Sequence, residues 1–292
     1  MLKLDEKKIR KGKPIGLPYQ GSKKKISKKI IEIIKQNFGT DKPIYDIFGG
    51  GGAITAECIL NGLEVYYNDL DKDITNAFER VISQDREWIK TLIVSCEEFF
   101  EIKAKENKTT DDFLKLLVNS FGNDKKSYLY SKETSDLKYN LAKKIIENHD
   151  VFNGYKQTET YKKATYNAKQ ENDKRVQQLE RLGQLEQLQQ LNKIKATNKS
   201  YHDFSKVSNA ILYLDPPYEW SSQKGYINSF DSQEFYDWAF EIAKNNIVII
   251  SSYSISDERF ESVYSFDEAR STLQGGENSK AKNEKLFMVK NS

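Results

Sequence analysis

Four glycines in a row, Gly49 to Gly52, separate a short apolar run at 43–48 from a helix-like stretch at 53–61. A chain crosses such a boundary by a tight strand-to-helix turn. Glycine there lets the backbone approach a ligand closely, and the helix N-terminus faces the same space. Gly62 reads as the stop of that helix. Two familiar phosphate loops are excluded. No Gly-Lys-Ser/Thr follows, and no frame through the four glycines supplies the third glycine of the dinucleotide fingerprint. By itself the run is also compatible with a tight structural turn.

What surrounds the glycines narrows the choice. Residues 63–67 form a second apolar strand, and Asp69 at its tip lies about 20 residues past the glycine loop, the place of an acid that takes two ribose hydroxyls. The same acid is equally placed to cap the next helix, which runs through Val81. Upstream, Ile26, Ile30, Ile33 and Ile34 mark an amphipathic helix over 24–37. Downstream, the apolar runs 210–214 and 247–251 flank a helical pattern at 233–244. Strands and helices that alternate in this way predict a parallel α/β sheet covered on both faces.

The middle of the chain departs from the alternation. From 84 to 168 it is polar, rich in Lys, Asn, Glu and Tyr, and helical in tendency, so it reads as an inserted helical domain. The expected division is a first catalytic part at 1–83, an insert at 84–192 and a second catalytic part at 193–292. Within the insert, Val176, Leu179, Leu182, Leu185, Leu188, Leu191 and Ile194 recur every third residue. On an α-helix that spacing carries the apolar stripe backwards by roughly 60° per step. A helix buried on several sides or a short solenoid-like stack would satisfy it. The segment is read as a spacer into a strand near 193–198.

The chemistry centres on Asp215-Pro216-Pro217-Tyr218, directly after the apolar strand Ile-Leu-Tyr-Leu. Three of the five prolines stand at 14, 18 and 43, so the adjacent pair is a distinctive feature. Proline donates no ladder hydrogen bond, and the strand must end there. Asp215 then lies at the carboxyl edge of the sheet, where open α/β folds bind ligands. The prolines stiffen the loop and aim the Pro216 carbonyl, while Tyr218 supplies a flat face. An exocyclic purine amine needs acceptors to align its N–H bonds and a ring to stack the base. That amine is barely basic, so positioning counts for more than deprotonation. A base inside a duplex reaches such a pocket only when flipped out.

In this order the motifs resemble those of the Dam-like (D12 class) DNA adenine-N6 methyltransferases. PYQGSK at 18–23 resembles the amino-terminal S-adenosylmethionine motif, FGGGGA at 48–53 the glycine motif and YYNDLDK at 66–72 the ribose motif. NKSYHDF at 198–204 resembles the segment whose aromatic residue packs on the cofactor's adenine. DPPY at 215–218 is similar to the catalytic motif, and FDSQEF and IISSYS to later family segments. The likeness covers 14–81 and about 194–290. It departs at Ser22, where a second glycine is common, and at the leucine repeat.

The resemblance implies a seven-stranded, mainly parallel Rossmann-like methyltransferase sheet with an inserted helical target-recognition domain. It implies methyl transfer from S-adenosylmethionine to N6 of a flipped-out adenine in double-stranded DNA. The implied catalytic residues are Asp215, Pro216, Pro217 and Tyr218. The implied cofactor-binding set is Tyr19, Gly21, Lys23, Asp46, Phe48, Gly49, Gly50, Gly51, Gly52, Ala53, Asp69, Leu70, Tyr201 and Asp215. No metal is required. The competing readings are an RNA adenine methyltransferase and a non-catalytic S-adenosylmethionine- or nucleic-acid-binding protein on the same fold. A nucleotide hydrolase would need a phosphate lysine after the glycines, which is missing.

Composition bears on partners and compartment. Residues 1–35 carry twelve Lys/Arg and three Asp/Glu within a chain of net charge +3, a basic arm suited to phosphate or a solvated terminus. The segment 119–139 interleaves aromatics with lysines, as DNA contact and an ordinary exposed helical domain both allow. Lys224, Tyr226 and Gln233, after DPPY, are expected against the flipped strand, and GGENSKAKNEK is read as a flexible basic loop before a final strand LFMVK. No run approaches the ~20 apolar residues of a membrane span, and no secretory signal is seen, which places the protein in the cytoplasm. Cys58 and Cys96 read as two buried reduced thiols. A restriction endonuclease partner, a regulatory or phage context, and the oligomeric state remain open.

Overall fold

A computed structural model describes residues 1–19, 21–166, 176–191, 194–219, 230–266 and 283–290. Along the chain the longer elements are α1 (Ser27–Phe38), β1 (Ile44–Asp46), α2 (Ala53–Leu60), β2 (Val65–Asn68) and α3 (Lys72–Ser83). Then come α4 (Arg86–Lys90), α5 (Cys96–Ala104), α6 (Thr110–Asn119), α7 (Ser135–Asn148), α8 (Glu159–Tyr166) and α9 (Gln177–Leu188). The chain closes with β3 (Ala196–Thr197), β4 (Ile211–Leu214), α10 (Ser232–Ile242), β5 (Ile247–Ser252), β6 (Phe260–Ser265) and β7 (Lys285–Val289). No helix among the described residues is long and apolar enough to cross a membrane. The chain divides into two compact units, one of Met1–Pro14, Gly21–Thr75 and Ile194–Ser292, the other of Ile15–Gln20 and Asn76–Lys193.

The first unit is the α/β sheet. Its seven strands run β3-β2-β1-β4-β5-β7-β6, parallel except for β7, which is antiparallel to both its neighbours. Residues alternate between faces along each strand. Ile211 and Tyr213 of β4 join the isoleucines of α1 and Ile54 of α2 in one core, whereas Leu212 and Leu214 join Phe235, Trp238 and Ala239 of α10 in the other. Burial on both sides is why these strands read as unbroken apolar runs. Helix α1 ends at Gly39, whose φ of +83° few side chains tolerate. The chain goes from β1 outward to β2 and β3, then returns to the opposite side of β1 as β4. A crevice for ligands opens at such a switch point, between the loops that leave β1 and β4.

The basic amino terminus is packed on this unit. Leu2 donates its amide to the Val263 carbonyl at 2.8 Å, and Leu2 and Leu4 border the core. Arg10 forks onto the buried Glu57 at 2.8 and 3.0 Å. Of the two cysteines, Cys58 is buried, but Cys96 opens α5 only partly covered, so the expectation of two buried thiols holds for one.

The second unit is helical. Val176, Leu179, Leu182, Leu185, Leu188 and Leu191 are all buried, and so are Gln178 and Arg181, so α9 is enclosed on several sides. That is what a stripe drifting round the helix demands, and it needs no solenoid. The Arg181 guanidinium donates to the carbonyls of Val118 at 2.6 Å and Ser120 at 2.7 Å, with Leu117 at 3.4 Å. These are the carbonyls left open at the end of α6. A tight turn follows, with Ser120 paired to Tyr128 and Phe121 N donating to Ser127 O at 2.8 Å. It holds Phe121 at 66% exposure beside Lys126, also exposed.

Candidate active site

Register brings three acids to one edge. Asp46 pairs with Tyr67 on β2 and with Tyr213 on β4. Asp69 and Asp215 therefore each stand two positions past a partner of Asp46, all at the carboxyl ends of neighbouring strands. The glycine run turns between them, and β2 holds it close. Gly49 N donates to Asn68 O at 2.8 Å, and a Cβ on Gly49 would sit 2.4 Å from the Tyr67 ring. Only glycine fits there. Gly52 takes φ +72° as the N-cap of α2, and Asp46 accepts from the Thr55 amide at 3.1 Å and hydroxyl at 2.6 Å, closing the first turn of that helix. Gly50, Gly51 and Ala53 are buried in the same turn.

Asp69 accepts from Gly50 N at 2.8 Å and Asp71 N at 2.9 Å. Helix α3 is capped by Asp71, which accepts from Asp73 N at 2.9 Å, so the capping duty open to Asp69 falls to its neighbour. The Asn198 side chain donates to the Asp69 and Leu70 carbonyls at 2.9 and 2.7 Å, and Asn68 ties Ile47 O to Lys199 O. These bonds carry Tyr201 to Phe48, with ring centroids 6.1 Å apart and planes at 30°. Phe230, Phe235 and Trp238 pack around them. Leu70 is half exposed at the rim.

Lys23 comes from the turn Lys23–Lys25, whose N-cap Ser22 accepts from Lys24 N. The serine that replaces a common glycine thus shapes the lysine's own turn, with Gly21 before it at φ +80°. The Lys23 ammonium lies 2.7 Å from Asp215 Oδ1 and donates to the Tyr218 hydroxyl at 2.6 Å. Tyr218 donates to both oxygens of Glu284, at 2.9 and 3.0 Å, and its ring meets Tyr253 edge-on at 4.7 Å. Pro216 is buried and Pro217 partly so. Tyr19 belongs to the other compact unit.

Glu284 corrects the sequence reading. The flexible basic loop expected at GGENSKAKNEK lies mostly outside the described residues, but its Glu284 is 4% exposed and accepts from the buried Ser251 hydroxyl at 2.8 Å. A carboxylate directly before an apolar strand was the one available signal. Gln233 stands in the first turn of α10, within the helical pattern expected at 233–244, and its amide donates to Asp237 at 3.2 Å. Lys224 and Tyr226 lie outside the described residues.

Burial pushes the Asp46 carboxyl up to about 7, against the Thr55 donors. It pushes Asp69 up to about 6, against the amides of Asp71 and Gly50. Asp215 is also raised, by burial and by Glu284, against the pull of Lys23. Burial draws Lys23 down, but Asp215 and Glu284 outweigh it and hold the ammonium above its ordinary range. Three crowded carboxylates favour a cationic ligand. An acid with a spare lone pair at the end of β2 and an aromatic pair beside it fit a nucleoside. Together they fit a positively charged nucleoside.

A comparison with curated proteins returned no match. A family model described as D12 class N6 adenine-specific DNA methyltransferase matches residues 19–282.

Proposed function

This chain belongs to the D12 class of N6 adenine-specific DNA methyltransferases, and on that premise we propose that methyl transfer takes place at the carboxyl edge of the sheet between β1 and β4. The enzyme is S-adenosylmethionine-dependent and acts on DNA. Bound S-adenosylmethionine supplies an electrophilic methyl carbon carried on a sulfonium. Asp69 takes the ribose hydroxyls, Phe48 and Tyr201 flank the adenine, and the glycine turn Gly49–Gly52 admits the chain of the cofactor. Asp46 and Asp215 add negative charge that favours the sulfonium.

The target adenine enters flipped from the duplex. Asp215 Oδ1 is engaged by Lys23, and Oδ2 accepts one N6–H bond while the Pro216 carbonyl accepts the other. This turns the nitrogen lone pair toward the methyl carbon. As the new N–C bond forms, the methyl–sulfur bond breaks with its electron pair left on sulfur, giving S-adenosylhomocysteine. One N6 proton becomes acidic, and Asp215, with its raised pKa, is the nearest base for it. The observation that carries this reading is the Lys23–Asp215 pair at the switch point, with Asp46 and Asp69 on the adjoining strand ends.

We assign target recognition to the helical unit. The turn 120–128, with an exposed Phe121 beside lysines, suits stacking and phosphate contact. The site assignment is tested with labelled S-adenosylmethionine on unmethylated duplex DNA, the product nucleosides being identified by mass spectrometry. Wild-type enzyme yields N6-methyldeoxyadenosine. Asp215→Ala yields none while binding the cofactor nearly as well, and full turnover in that variant removes the site.

A further inference from the structure

Glu284 accepts hydrogen bonds from Tyr218 of the DPPY loop and from Ser251 of β5. It lies just before β7, and its neighbours come from the Lys23 turn, from the end of β4 and from β5. Both of its oxygens accept from the Tyr218 hydroxyl, Oε1 also accepts from Ser251, and the Lys23 ammonium stands 3.6 Å from Oε1. Donors then run in one direction, from Lys23 to the Tyr218 oxygen and from the Tyr218 hydroxyl to Glu284. Burial, with Asp215 and Glu284 beside it, raises the Tyr218 phenol far above its ordinary range, so it remains a donor.

We propose that Glu284 is a positioning residue for methyl transfer, holding the Tyr218 ring and the Lys23 ammonium so that Asp215 presents a single free oxygen to the adenine amine. The proposal rests on the site assigned above. An ammonium between two acids has two partners of like charge, and the phenol between Lys23 and Glu284 decides which it contacts. Lys23 bonds Asp215 and the phenol oxygen directly and stays outside hydrogen-bond distance of Glu284. Ser251, fully buried, fixes the orientation of the glutamate in turn. Loss of the Glu284 acceptor frees the Tyr218 hydroxyl to turn to Asp215, where it competes with the substrate amine for the same lone pairs.

The charge has a separate consequence. Asp215 is faced by Lys23, Glu284, Tyr218 and Tyr213 and, across the strand ends, by Asp46 and Asp69, while Tyr253 faces Lys23. Among these Glu284 raises the Asp215 carboxyl. Glu284→Gln replaces one of the two carboxylate oxygens that hold the Tyr218 hydroxyl with an amide NH2, which weakens the chain. It also removes the charge, so the acid limb of the kcat profile moves to lower pH.

The experiment measures kcat, KM for duplex DNA, cofactor affinity and the kcat–pH profile for Glu284→Gln, Tyr218→Phe and the double variant, with Asp215→Ala as control. Each rate is normalised to the fraction of enzyme that binds cofactor. The expected result for each single variant is a fall in kcat of about 10–100-fold, the scale of a misplaced reacting group, with cofactor affinity held within about threefold. In the double variant the loss stays close to that of the worse single variant, because both changes break one chain. Turnover of Glu284→Gln equal to wild type, losses that multiply, or a fallen kcat with an unmoved acid limb would each overturn the proposal. If Asp215→Ala retains turnover, the site assignment itself fails, an outcome distinct from failure of the Glu284 role alone.

Discussion

In the proposed site the Asp69 side chain is divided between structure and ligand. Its two oxygens already accept from Gly50 and Asp71, which fixes the carboxylate against the glycine turn and leaves a lone pair on each oxygen. In the proposed site, charge-assisted bonds to two ribose hydroxyls would come from a carboxylate already in place. Asp69→Ala is expected to weaken S-adenosylmethionine binding by about 1.5–3 kcal/mol, read by calorimetry, with turnover restored at saturating cofactor. Unchanged affinity would confine Asp69 to its turn. The proposed site sets Asp215 to act on the other substrate, so Asp215→Ala is expected to cost at least about 10²-fold in kcat with little change in cofactor affinity. The two variants thus separate cofactor holding from amine orientation.

Helix α9 is the element on which the helical unit depends. Its Arg181 does the capping at the end of α6, where backbone carbonyls would otherwise be buried without donors. Burial draws this guanidinium down to about 10, and the hydrogen bonds to neutral carbonyls take the place of an acid partner. Arg181→Met keeps the volume and removes the donors. We expect about 2–3 kcal/mol of lost stability, seen as a lower urea midpoint for the helical unit. The turn 120–128 hangs from those same carbonyls, so, with target recognition proposed for this unit, DNA affinity is expected to fall more than cofactor affinity. A midpoint equal to wild type would show that the carbonyls find other donors.

Across the whole molecule the raised carboxyls of Asp46 and Asp69 link folding, pH and cofactor. A carboxyl raised on folding binds its proton more tightly in the native state. Its contribution to stability is full below the ordinary value near 4 and is lost as pH rises through about 6 to 7. Asp111, Asp112 and Asp257 are lowered instead, and their contribution is constant over that window. The ligand-free enzyme is therefore expected to melt at lower temperature at pH 7.5 than at pH 5.5. A cation bound among ionised carboxylates reverses the sign, so S-adenosylmethionine affinity rises from pH 5.5 to 7.5. Calorimetry at the two pH values checks this, and an affinity that falls instead would place the sulfonium away from these acids.

Much of the first unit was legible residue by residue because its signals are local. The isoleucine spacing of α1, the glycine run, the apolar strand before Asp215 and the Pro-Pro stop each state a period or a backbone limit within a few residues. The strand β6 carried no comparable signal, since its residues alternate only weakly between buried and exposed and its partner β7 lies beyond a long connection. The leucines of α9 showed that something enclosed them but not what, because a drifting stripe names no single partner. Glu284 was hidden for the same reason. In the chain it stands among lysines and asparagines, and its partners Lys23, Tyr218 and Ser251 are brought to it only when β4, β5 and β7 align. The order of motifs alone determined the family and its chemistry, and it carries the proposed placement at the carboxyl edge of the sheet. Which buried charges meet there, and which donors satisfy them, was decided by the tertiary structure, because burial makes an unpaired polar group costly and its partner may come from any distance along the chain.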